Sequence, residues 1–390
     1  MRRAMSTPSQ IAIDGRMLSA PTFTGVGVYA DMLARAAPAA GFTCGVLQAN
    51  GQVSRPARWL RATRRGARRA RRVTSGASAR PEWAAADLFR EAQVFFNLYG
   101  ELMPVVCDDP PPVMHWTYPV PLYVVGARNI YTVHDLIPLA APHLTRIGRT
   151  RHRRLLRRIV ERADRIVTVS ETVRRDVIET FGLQAGRVVN TYQAVEAPRR
   201  DAPPPAPLQP QGYFLFCGAV EPRKNLERLA NAHALSGVSQ PLVIVGPAAP
   251  GCEALEAQLG GRPRLFRTGW RPRAELMSLI QNSVAVLHPS LAEGFGLPIA
   301  EAMTLGAPVL TSARGACGEI AGPAARLVDP ENVREIARGI ADLAADDGLR
   351  QRLRNAGRAR AGLFGIDAYA RRLARLYADV LGDPTAEAAA

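Results

Sequence analysis

The stretch HPSLAEGFGLPIAEAMTLGAPVLTSARGACGEIAGP, residues His288–Pro323, decides the fold of the second half of the chain. The apolar run that leads into it predicts a buried strand. Pro298 predicts the first turn of a helix, because its missing N–H would have no helical partner there. Glu293 lies in the predicted loop and Glu301 in the helix. Two carboxylates beside backbone amides at a helix N-terminus favour a ligand with both anionic and hydroxyl groups.

The same alternation of apolar runs and helical patterns continues through the second half. We predict strands at Tyr213–Cys217, Leu242–Gly246, Leu265–Gly269, Val284–His288, Pro308–Thr311 and Arg326–Val328. Helices are predicted from Lys224, near Cys252–Leu259, at Pro272–Gln281, from Pro298, and over 332–361 and 366–380. Apolar strands that alternate with helices are typical of a parallel sheet covered on both faces.

The first half shows the same pattern. Its predicted strands are Ile11–Gly15, Phe42–Gln48, Val94–Leu98, Val113–Tyr118, Ile130–Val133, Ile166–Val169 and Val188–Val195. Its predicted helices include Val28–Ala37, Ile147–Ala163 and Glu171–Phe181, the last with Ser170 as N-cap. The chain is therefore predicted to be α/β, with two tandem Rossmann-like, doubly wound domains. Ligands of such domains bind in the crevice beyond the carboxyl ends of the strands.

A proline-rich segment separates the two halves. Residues 198–210, PRRDAPPPAPLQP, contain six prolines and cannot form a helix or a central strand. We expect an N-terminal domain at 1–197, a linker at 198–210 and a C-terminal domain at 211–365. The last stretch, 366–390, is expected to form a helix followed by a tail.

The composition is that of a globular protein with acidic ligands. Of its 390 residues 47% are hydrophobic, and the net charge of +16 favours nucleotides, anionic lipids or nucleic acid as partners. Five scattered cysteines without C-x-x-C spacing favour reduced thiols in a cytosol. No apolar run reaches the ~18 residues of a membrane span, and the first residues lack the apolar region of a signal peptide. We expect a cytoplasmic protein, attached to a membrane at most at its surface.

Two segments carry much of the positive charge. Residues 55–72 contain nine arginines and no acidic residue, and residues 146–162 contain eight arginines against Glu161. The first has poor periodicity, which predicts either a loop or a basic helix. Both segments have two interpretations, a solvated surface or attraction to anionic lipid or a phosphate-bearing acceptor. Nucleic acid is less favoured, because few aromatic residues lie between the arginines.

An early glycine pair, Gly25 and Gly27, precedes the first predicted helix. The pattern G-x-G-x-x-A resembles a dinucleotide fingerprint, but about ten residues separate it from the preceding strand, where that fingerprint requires an immediate turn. The next strand also ends without the acidic residue that would bind a ribose. NAD binding is therefore disfavoured. A plain turn and a loop that approaches a diphosphate both stay open.

The sequence GAVEPRKN, residues 218–225, lies where the first strand of the second half leads into a helix. Arg223 and Lys224 there reverse the usual charge preference of a helix N-terminus. A solvated turn is one interpretation, and a diphosphate that neutralises both cations is the one we favour. Lys224 is also the only lysine of the chain, which suggests, unless chance explains it, that an ammonium group matters at this position.

A single histidine, His134, ends the predicted strand Ile130–Val133. An isolated histidine usually has a structural role. Its position at the carboxyl end of a strand places it toward the predicted crevice, which keeps a role in the reaction open.

Together these motifs resemble the retaining glycosyltransferases of the GT-B fold, family 4 type, also called glycosyl transferases group 1. The resemblance rests on T-G-V-G-x-Y near Gly25, T-V-H-D-L at His134, E-P-R-K-N at Arg223, and S-L-x-E-G-F-G-L-P-x-x-E-A-M with its two spaced glutamates. It extends over nearly the whole chain. It implies a GDP- or UDP-linked nucleotide sugar bound mainly to the second domain, and a saccharide or lipid-linked saccharide acceptor bound to the first.

The resemblance also implies where the donor is bound. The residues expected at the diphosphate are Gly25, Gly27, Arg223 and Lys224. Those expected to contact the phosphate or the sugar through the backbone loop are Gly294, Phe295, Gly296 and Leu297. Trp270 and Arg271 are expected to border the base.

Three further side chains have implied roles at the reacting centre and the ribose. Glu293 is expected to contact hydroxyl groups of the donor sugar, Glu301 the ribose, and His134 is expected beside the anomeric carbon. The final helix is expected to cross back onto the first domain. Two positions depart from the family pattern: Ala219 replaces an arginine of some relatives, and residues 315–319 replace a frequent S-S-x-P-E, which leaves the sugar contacts less defined.

The reaction implied by the resemblance is transfer of a hexose, with mannose as the favoured sugar, to a hydroxyl with retained anomeric configuration. It would serve cell-surface polysaccharide synthesis at the inner face of a bacterial membrane. No D-x-D pair occurs in the sequence, so Arg223, Lys224 and helix N-termini would neutralise the leaving group without a metal. A covalent intermediate on Glu293 stays open. No cofactor is expected besides the nucleotide sugar.

Three other functions are weighed against transfer. A nucleotide-sugar epimerase would share the fold. A phosphorylase would need a pyridoxal lysine, for which Lys224 is the only candidate. A basic nucleic-acid-binding protein would bind with steep salt dependence, but it leaves the loop between Glu293 and Glu301 unexplained, and no nucleic acid is expected.

Overall fold

Two β-sheets, one in each half of the chain, form the framework of the molecule. The computed structural model describes residues 10–18, 25–73, 81–198 and 202–382. The strands of the first half are β1 (Gln10–Asp14), β2 (Thr43–Asn50), β3 (Arg68–Val73), β4 (Glu82–Ala86), β5 (Met103–Cys107), β6 (Val113–Trp116), β7 (Leu122–Val124), β8 (Arg128–Val133), β9 (Arg165–Thr168) and β10 (Val188–Asn190). They form one sheet in the order β10-β9-β8-β6-β1-β2-β4-β3-β5-β7. Its pairings are parallel except that between β3 and β4.

Helices of the first half connect these strands. They are α1 (Gly25–Ala39), α2 (Arg55–Ala62), α3 (Leu88–Tyr99), α4 (Ile137–Ala140), α5 (Arg149–Arg162) and α6 (Glu171–Phe181). The central strands β1, β6 and β8 are buried along almost their whole length, as expected for strands covered on both faces. Ser170 caps α6, because its hydroxyl accepts a hydrogen bond of 3.2 Å from the N–H of Val173. This confirms the predicted N-cap.

The second half forms a smaller sheet that is parallel throughout. Its strands are β11 (Phe214–Cys217), β12 (Leu242–Val245), β13 (Leu265–Gly269), β14 (Val286–His288), β15 (Val309–Ser312) and β16 (Arg326–Val328), in the order β13-β12-β11-β14-β15-β16. Its helices are α7 (Leu226–Leu235), α8 (Glu253–Leu259), α9 (Arg273–Asn282), α10 (Leu297–Leu305), α11 (Gly315–Ala321), α12 (Val333–Ala345) and α13 (Asp347–Ala361), and α14 (Ile366–Leu381) follows. The two doubly wound sheets confirm the predicted fold class.

Parts of the first half differ from the prediction. Val94–Leu98, predicted as a strand, lies inside α3, because the buried residues of that segment recur at helical spacing. Residues 55–72, predicted as a loop or a basic helix, contain α2 and then most of strand β3, which lies between β4 and β5. Strands β4, β5 and β7 lie outside the predicted set. Each has only three to five residues, too few for a clear periodic signal.

Contacts between the two halves bring their strand ends together. The Glu319 carboxylate on α11 accepts hydrogen bonds of 2.7 Å from the backbone N–H groups of Glu171 and Thr172 at the start of α6. The hydroxyl of Thr172 donates to the same carboxylate. A carboxylate at a helix N-terminus is favourable, because it meets unpaired N–H groups and the positive end of the dipole.

The last helix and the proline-rich segment also cross between the halves. Helix α14 packs on α1, and Tyr377 of α14 forms a 2.8 Å hydrogen bond with His115 of β6. In the described part of residues 198–210, the carbonyls of Ala202 and Pro203 accept hydrogen bonds of 3.0 Å from the hydroxyl of Ser278 on α9. The chain is thus joined across the crevice at several points.

Candidate active site

The candidate site lies at the carboxyl ends of β11 and β14, which are neighbours in the second sheet. The turn after β11 contains Arg223 and Lys224 in a short 3₁₀ helix. The loop after β14 contains Glu293 and leads into α10, whose first turn holds Pro298 as predicted. Because the carboxyl ends of parallel strands meet at one sheet edge, the two turns face each other.

Glu293 is the centre of a buried ionic cluster. Its carboxylate accepts a hydrogen bond of 2.5 Å from the ammonium group of Lys224 and another from the guanidinium of Arg223. His288, at the end of β14, lies 3.0 Å from the same carboxylate through Nε2. Arg223 also pairs with Glu221 at 2.6 Å. The fold therefore brings together Arg223, Lys224 and Glu293, the three charged residues expected at the donor's diphosphate and sugar.

The cluster fixes the charge of its members. Burial opposes ionisation of Glu293, but the charges of Lys224 and Arg223 outweigh it and hold the pKa of Glu293 well below its usual range. Burial lowers the pKa of His288, and its hydrogen bond to Glu293 offsets this only in part. We therefore assign a neutral His288 that donates Nε2–H to an ionised Glu293. Its other nitrogen, Nδ1, has no hydrogen-bond partner among the described residues.

The reversed charges at Arg223 and Lys224 have a counter-ion inside the protein. Glu293 and Glu221 supply the two negative charges that we expected from a bound diphosphate. The charge reversal alone is therefore no evidence for an external anion. A donor diphosphate would have to share these cations with Glu293, and that sharing would free the carboxylate for hydroxyl groups of the sugar.

Gly294 is in contact with the first half of the molecule. A Cβ atom at this position would lie 1.9 Å from the carbonyl oxygen of His134, so only glycine fits the approach. The hydroxyl of Ser170 donates a hydrogen bond of 2.7 Å to the carbonyl of Gly294. The Glu293 loop and the end of β8 thus meet across the crevice, as the sequence predicts.

His134 is half-buried, and two contacts of its imidazole ring fix the orientation of the side chain. Its Nε2 donates a hydrogen bond of 2.8 Å to the carbonyl of Thr117, and the edge of the ring meets Tyr29 with centroids 4.9 Å apart. Burial lowers the pKa of His134, and the bond to Thr117 offsets this in part. A neutral ring with the proton on Nε2 leaves Nδ1 as a hydrogen-bond acceptor.

Glu301 lies outside the Glu293 cluster. It is 3% exposed and pairs with the guanidinium of Arg273, the residue at the start of α9. Arg273 also donates a hydrogen bond of 2.9 Å to the carbonyl of Glu196, a residue of the first half. Burial raises the pKa of Glu301, and the charge of Arg273 offsets this only in part. The two glutamates thus have different partners.

The remaining predicted residues are spread around these groups. Phe295 is buried against Phe364 at 5.4 Å between ring centroids, while Gly296 and Leu297 form the start of α10. Trp270 follows β13 and is 60% exposed, and Arg271 lies 3.4 Å from Glu275. Gly25 and Gly27 lie in the first turn of α1 rather than in a loop. The residues before them, 19–24, lie outside the described part of the chain.

Three residues at the site lie outside the predicted set. His288 and Asp14 each end a strand, and the reasoning that singled out His134 applies to both. Asp14 accepts hydrogen bonds of 2.6 Å and 2.8 Å from the N–H and hydroxyl of Thr117, the residue that holds His134. Arg273 could have been found from Glu301, because a carboxylate that is buried needs a cation nearby.

The fold and this site define a class of protein. Two Rossmann-like domains, with a crevice between the carboxyl ends of their strands, form the GT-B architecture. The chain matches the family model "Glycosyltransferase Family 4" over residues 23–197 and the model "Glycosyl transferases group 1" over residues 200–360. The chain belongs to the GT-B glycosyltransferases of this family.

Individual relatives agree with this assignment. O-antigen chain mannosyltransferase B of Escherichia coli is 32% identical over 240 residues, which cover 57% of this chain and 63% of that protein. The chain thus spans less than two thirds of that relative. Sucrose-phosphate synthase from Thermosynechococcus elongatus has a TM-score of 0.70 at 20% identity, covering 96% and 99% of the two chains. HepE of Anabaena, solved with UDP and glucose, has a TM-score of 0.66 at 16% identity, covering 95% and 100%.

Proposed function

We propose that this chain transfers a hexose from a nucleoside diphosphate sugar to a hydroxyl of a saccharide or lipid-linked saccharide, with retained anomeric configuration. Mannose is the hexose that we favour. The observation that carries the proposal is the cluster of Arg223, Lys224 and Glu293 at the start of α10, in contact with the backbone of His134. The similarity to a mannosyltransferase of O-antigen synthesis supports mannose and a cell-surface polysaccharide as product.

The cluster suits departure of a diphosphate. Arg223 and Lys224 neutralise charge that develops on the leaving phosphate oxygen, and backbone amides at the start of α10 add to this. The bond from the anomeric carbon to that oxygen breaks, and a bond to the acceptor hydroxyl forms on the same face. The acceptor's proton passes to the leaving phosphate oxygen. Glu293, once it shares its cations with the diphosphate, accepts hydrogen bonds from the sugar's hydroxyls.

The proposed chemistry uses no metal. Two cations within reach of one phosphate group provide the neutralisation that a divalent ion gives in other transferases. The neutral ring of His134 suits a position beside a developing positive charge, because it adds no cation there.

A peripheral contact with an anionic membrane at the cytoplasmic face belongs to the proposal. Among the described helices none is long and apolar enough to cross a bilayer. Five of the nine arginines in residues 55–72 pair with carboxylates of the protein: Arg58, Arg61, Arg68, Arg69 and Arg72. The proposed membrane contact therefore involves only part of residues 55–72. It rests on Trp59 and Leu60 of α2, which are 56% and 64% exposed beside arginines.

A donor screen tests the proposal. Purified protein is incubated with GDP-mannose, other GDP-sugars and UDP-sugars, with and without EDTA, in the presence of lipid-linked saccharide from a membrane extract. We expect one nucleotide sugar to give an elongated, α-linked product and to do so in EDTA. An isomerised free nucleotide sugar would show an epimerase instead, and activity restored only by Mg²⁺ or Mn²⁺ would overturn the metal-free mechanism.

A further inference from the structure

A cavity of about 370 Å³, lined by both polar and apolar groups, opens at the carboxyl ends of β1, β2 and β4, away from the Glu293 cluster. This volume lies within the range of small-molecule pockets, ~300–1,000 Å³. The side chains that decide its chemistry are Arg16, Gln48, Gln52, Asp87, Arg90 and Gln93.

Apart from Gln48, the polar side chains of the cavity present mainly hydrogen-bond donors. The side-chain oxygen of Gln52 accepts a hydrogen bond of 2.8 Å from Arg90, and that of Gln93 accepts one from Arg151 of α5. Each amide therefore has its NH₂ group left to offer. The one carboxylate, Asp87, is occupied by the guanidinium of Arg58.

The cavity also carries two guanidinium groups outside any ion pair of the described residues. Among the residues that the structure describes, neither Arg16 nor Arg90 forms an ion pair, whereas Arg58 and Asp87 neutralise each other. Arg16 lies over the ring of Tyr118 at 5.3 Å, which fixes its guanidinium at the rim. These two guanidinium groups and two amide donors favour a ligand that is anionic and rich in acceptor atoms.

The cavity connects to the reacting centre through the sheet. Asp14 at the end of β1 binds Thr117, and Thr117 binds the ring of His134. The order β8-β6-β1-β2-β4 places the cavity about three strand spacings from His134, roughly 15 Å at ~4.8 Å per strand. An extended acceptor of a few sugar units spans that distance.

We propose that this cavity is an acceptor subsite that binds a phosphate group carried by the acceptor saccharide. A phosphate monoester has a charge of about −1.5 to −2 at pH 7 and three strong acceptor oxygens, which matches a site made of donors and cations. A neutral sugar would leave both guanidinium groups without a counter-charge. The inference rests on the proposed glycosyl transfer, since it places the acceptor relative to His134.

Calorimetry on the full chain tests the subsite. The donor site is first saturated with GDP or UDP, whichever binds, and the protein is then titrated with mannose 1-phosphate, mannose 6-phosphate, mannose, glucuronate and inorganic phosphate. We expect at least one of the two hexose phosphates to bind at least fivefold more tightly than inorganic phosphate. Mannose and glucuronate should bind more weakly than inorganic phosphate. Preference for the 1-phosphate indicates the phosphate that links a saccharide to its carrier, and preference for the 6-phosphate a phosphorylated sugar.

Variants separate this subsite from the donor site. Arg16→Gln and Arg90→Gln should each weaken hexose phosphate binding about tenfold and leave nucleotide binding unchanged. Arg338→Gln, at an exposed arginine of α12, is the matched control. Lys224→Ala should weaken nucleotide binding and leave hexose phosphate binding unchanged. Titration of this variant with the hexose phosphates tests the subsite even if no nucleotide binds to the chain. Equal affinity for inorganic phosphate (an adventitious ion only), equal affinity for glucuronate, or unchanged binding in Arg90→Gln would each overturn the proposal.

Discussion

Glu293 is a buried carboxylate whose stability contribution depends on pH. Because its pKa is lower in the folded protein than the ordinary value of 4.5, the ionic cluster stabilises the fold fully above that value. The contribution is lost as the pH falls through the lower, folded value. Glu293→Gln removes a carboxylate partner from the buried Lys224 and from the partly buried Arg223, so we expect a loss of about 3 kcal/mol at pH 7.

The loss caused by Glu293→Gln should shrink below pH 4.5. In that range the unfolded wild-type chain binds a proton at Glu293, whereas the folded chain, with its lower pKa, does not, so the wild type loses this part of its stability. Urea unfolding at pH 7 and at pH 3.5 measures both values. Glu331→Gln, which removes an exposed carboxylate paired with Arg314, is the control and should change stability little at either pH. A loss that stays constant over this range would show that Glu293 is not held ionised.

Lys224 supplies a compact positive charge to the proposed diphosphate site. We expect Lys224→Ala to reduce kcat about 100-fold or more, the effect of removing one preorganised donor at a developing oxyanion. Lys224→Arg keeps the charge but not the shape, and should retain more activity. Circular dichroism and thermal unfolding verify that each variant is folded. Full turnover in folded Lys224→Ala would remove Lys224 from the donor site.

At the scale of helices and strands, α2 carries the proposed membrane contact. Trp59 and Leu60 project apolar surface outward, whereas Arg58 and Arg61 of the same helix point to carboxylates of the protein. Replacing both apolar residues with serine should reduce binding to vesicles with 30% anionic lipid about fivefold, because the apolar contact is lost. Co-sedimentation measures the bound fraction.

The control for the α2 variant is Leu235→Ser on α7 of the second half, where the side chain is 59% exposed. A loss of general surface apolarity would affect both variants equally. Equal binding by the α2 variant and wild type would leave the remaining arginines, or no membrane contact at all, as the explanation.

The elements that sequence reasoning located well are those with one dominant signal. The strands β1, β8, β11 and β14 are short apolar runs buried on both faces, and the unbroken run itself is the signal. The same reasoning gave a wrong prediction for α3, because this helix contains adjacent phenylalanines that form a short apolar run like that of a buried strand. Strand β3 consists largely of arginines whose carboxylate partners are distant in sequence. Such pairings appear only after folding.

The site shows the same division. Glu293, Lys224 and His134 occupy turns whose positions follow from strand order, so their proximity could be predicted. The ion pair of Arg223 with Glu293 could not, because sequence spacing does not reveal whether a cation meets an external anion or an internal one. The cavity at Arg16 and Arg90 was equally hidden, since its lining comes from β1, β2 and α3.

At the scale of the whole molecule, Glu319 joins the two halves. Its carboxylate accepts three hydrogen bonds from Glu171 and Thr172 at the start of α6. Glu319→Ala removes all three and the favourable charge at the helix end. The crevice should then open more readily, so the contact between Gly294 and the backbone of His134 would form in a smaller fraction of the molecules.

We therefore expect Glu319→Ala to lower kcat about tenfold and to increase the radius of gyration measured by X-ray scattering, while the separate halves stay folded by circular dichroism. A donor analogue should restore part of the compaction, because binding between the halves favours the closed form. The control is Glu335→Ala, which removes a carboxylate near the start of α12, away from the crevice. If Glu319→Ala scatters like the wild type with and without ligand, the contact at α6 does not govern closure, and the orientation of the halves must depend on α14 and its packing against α1.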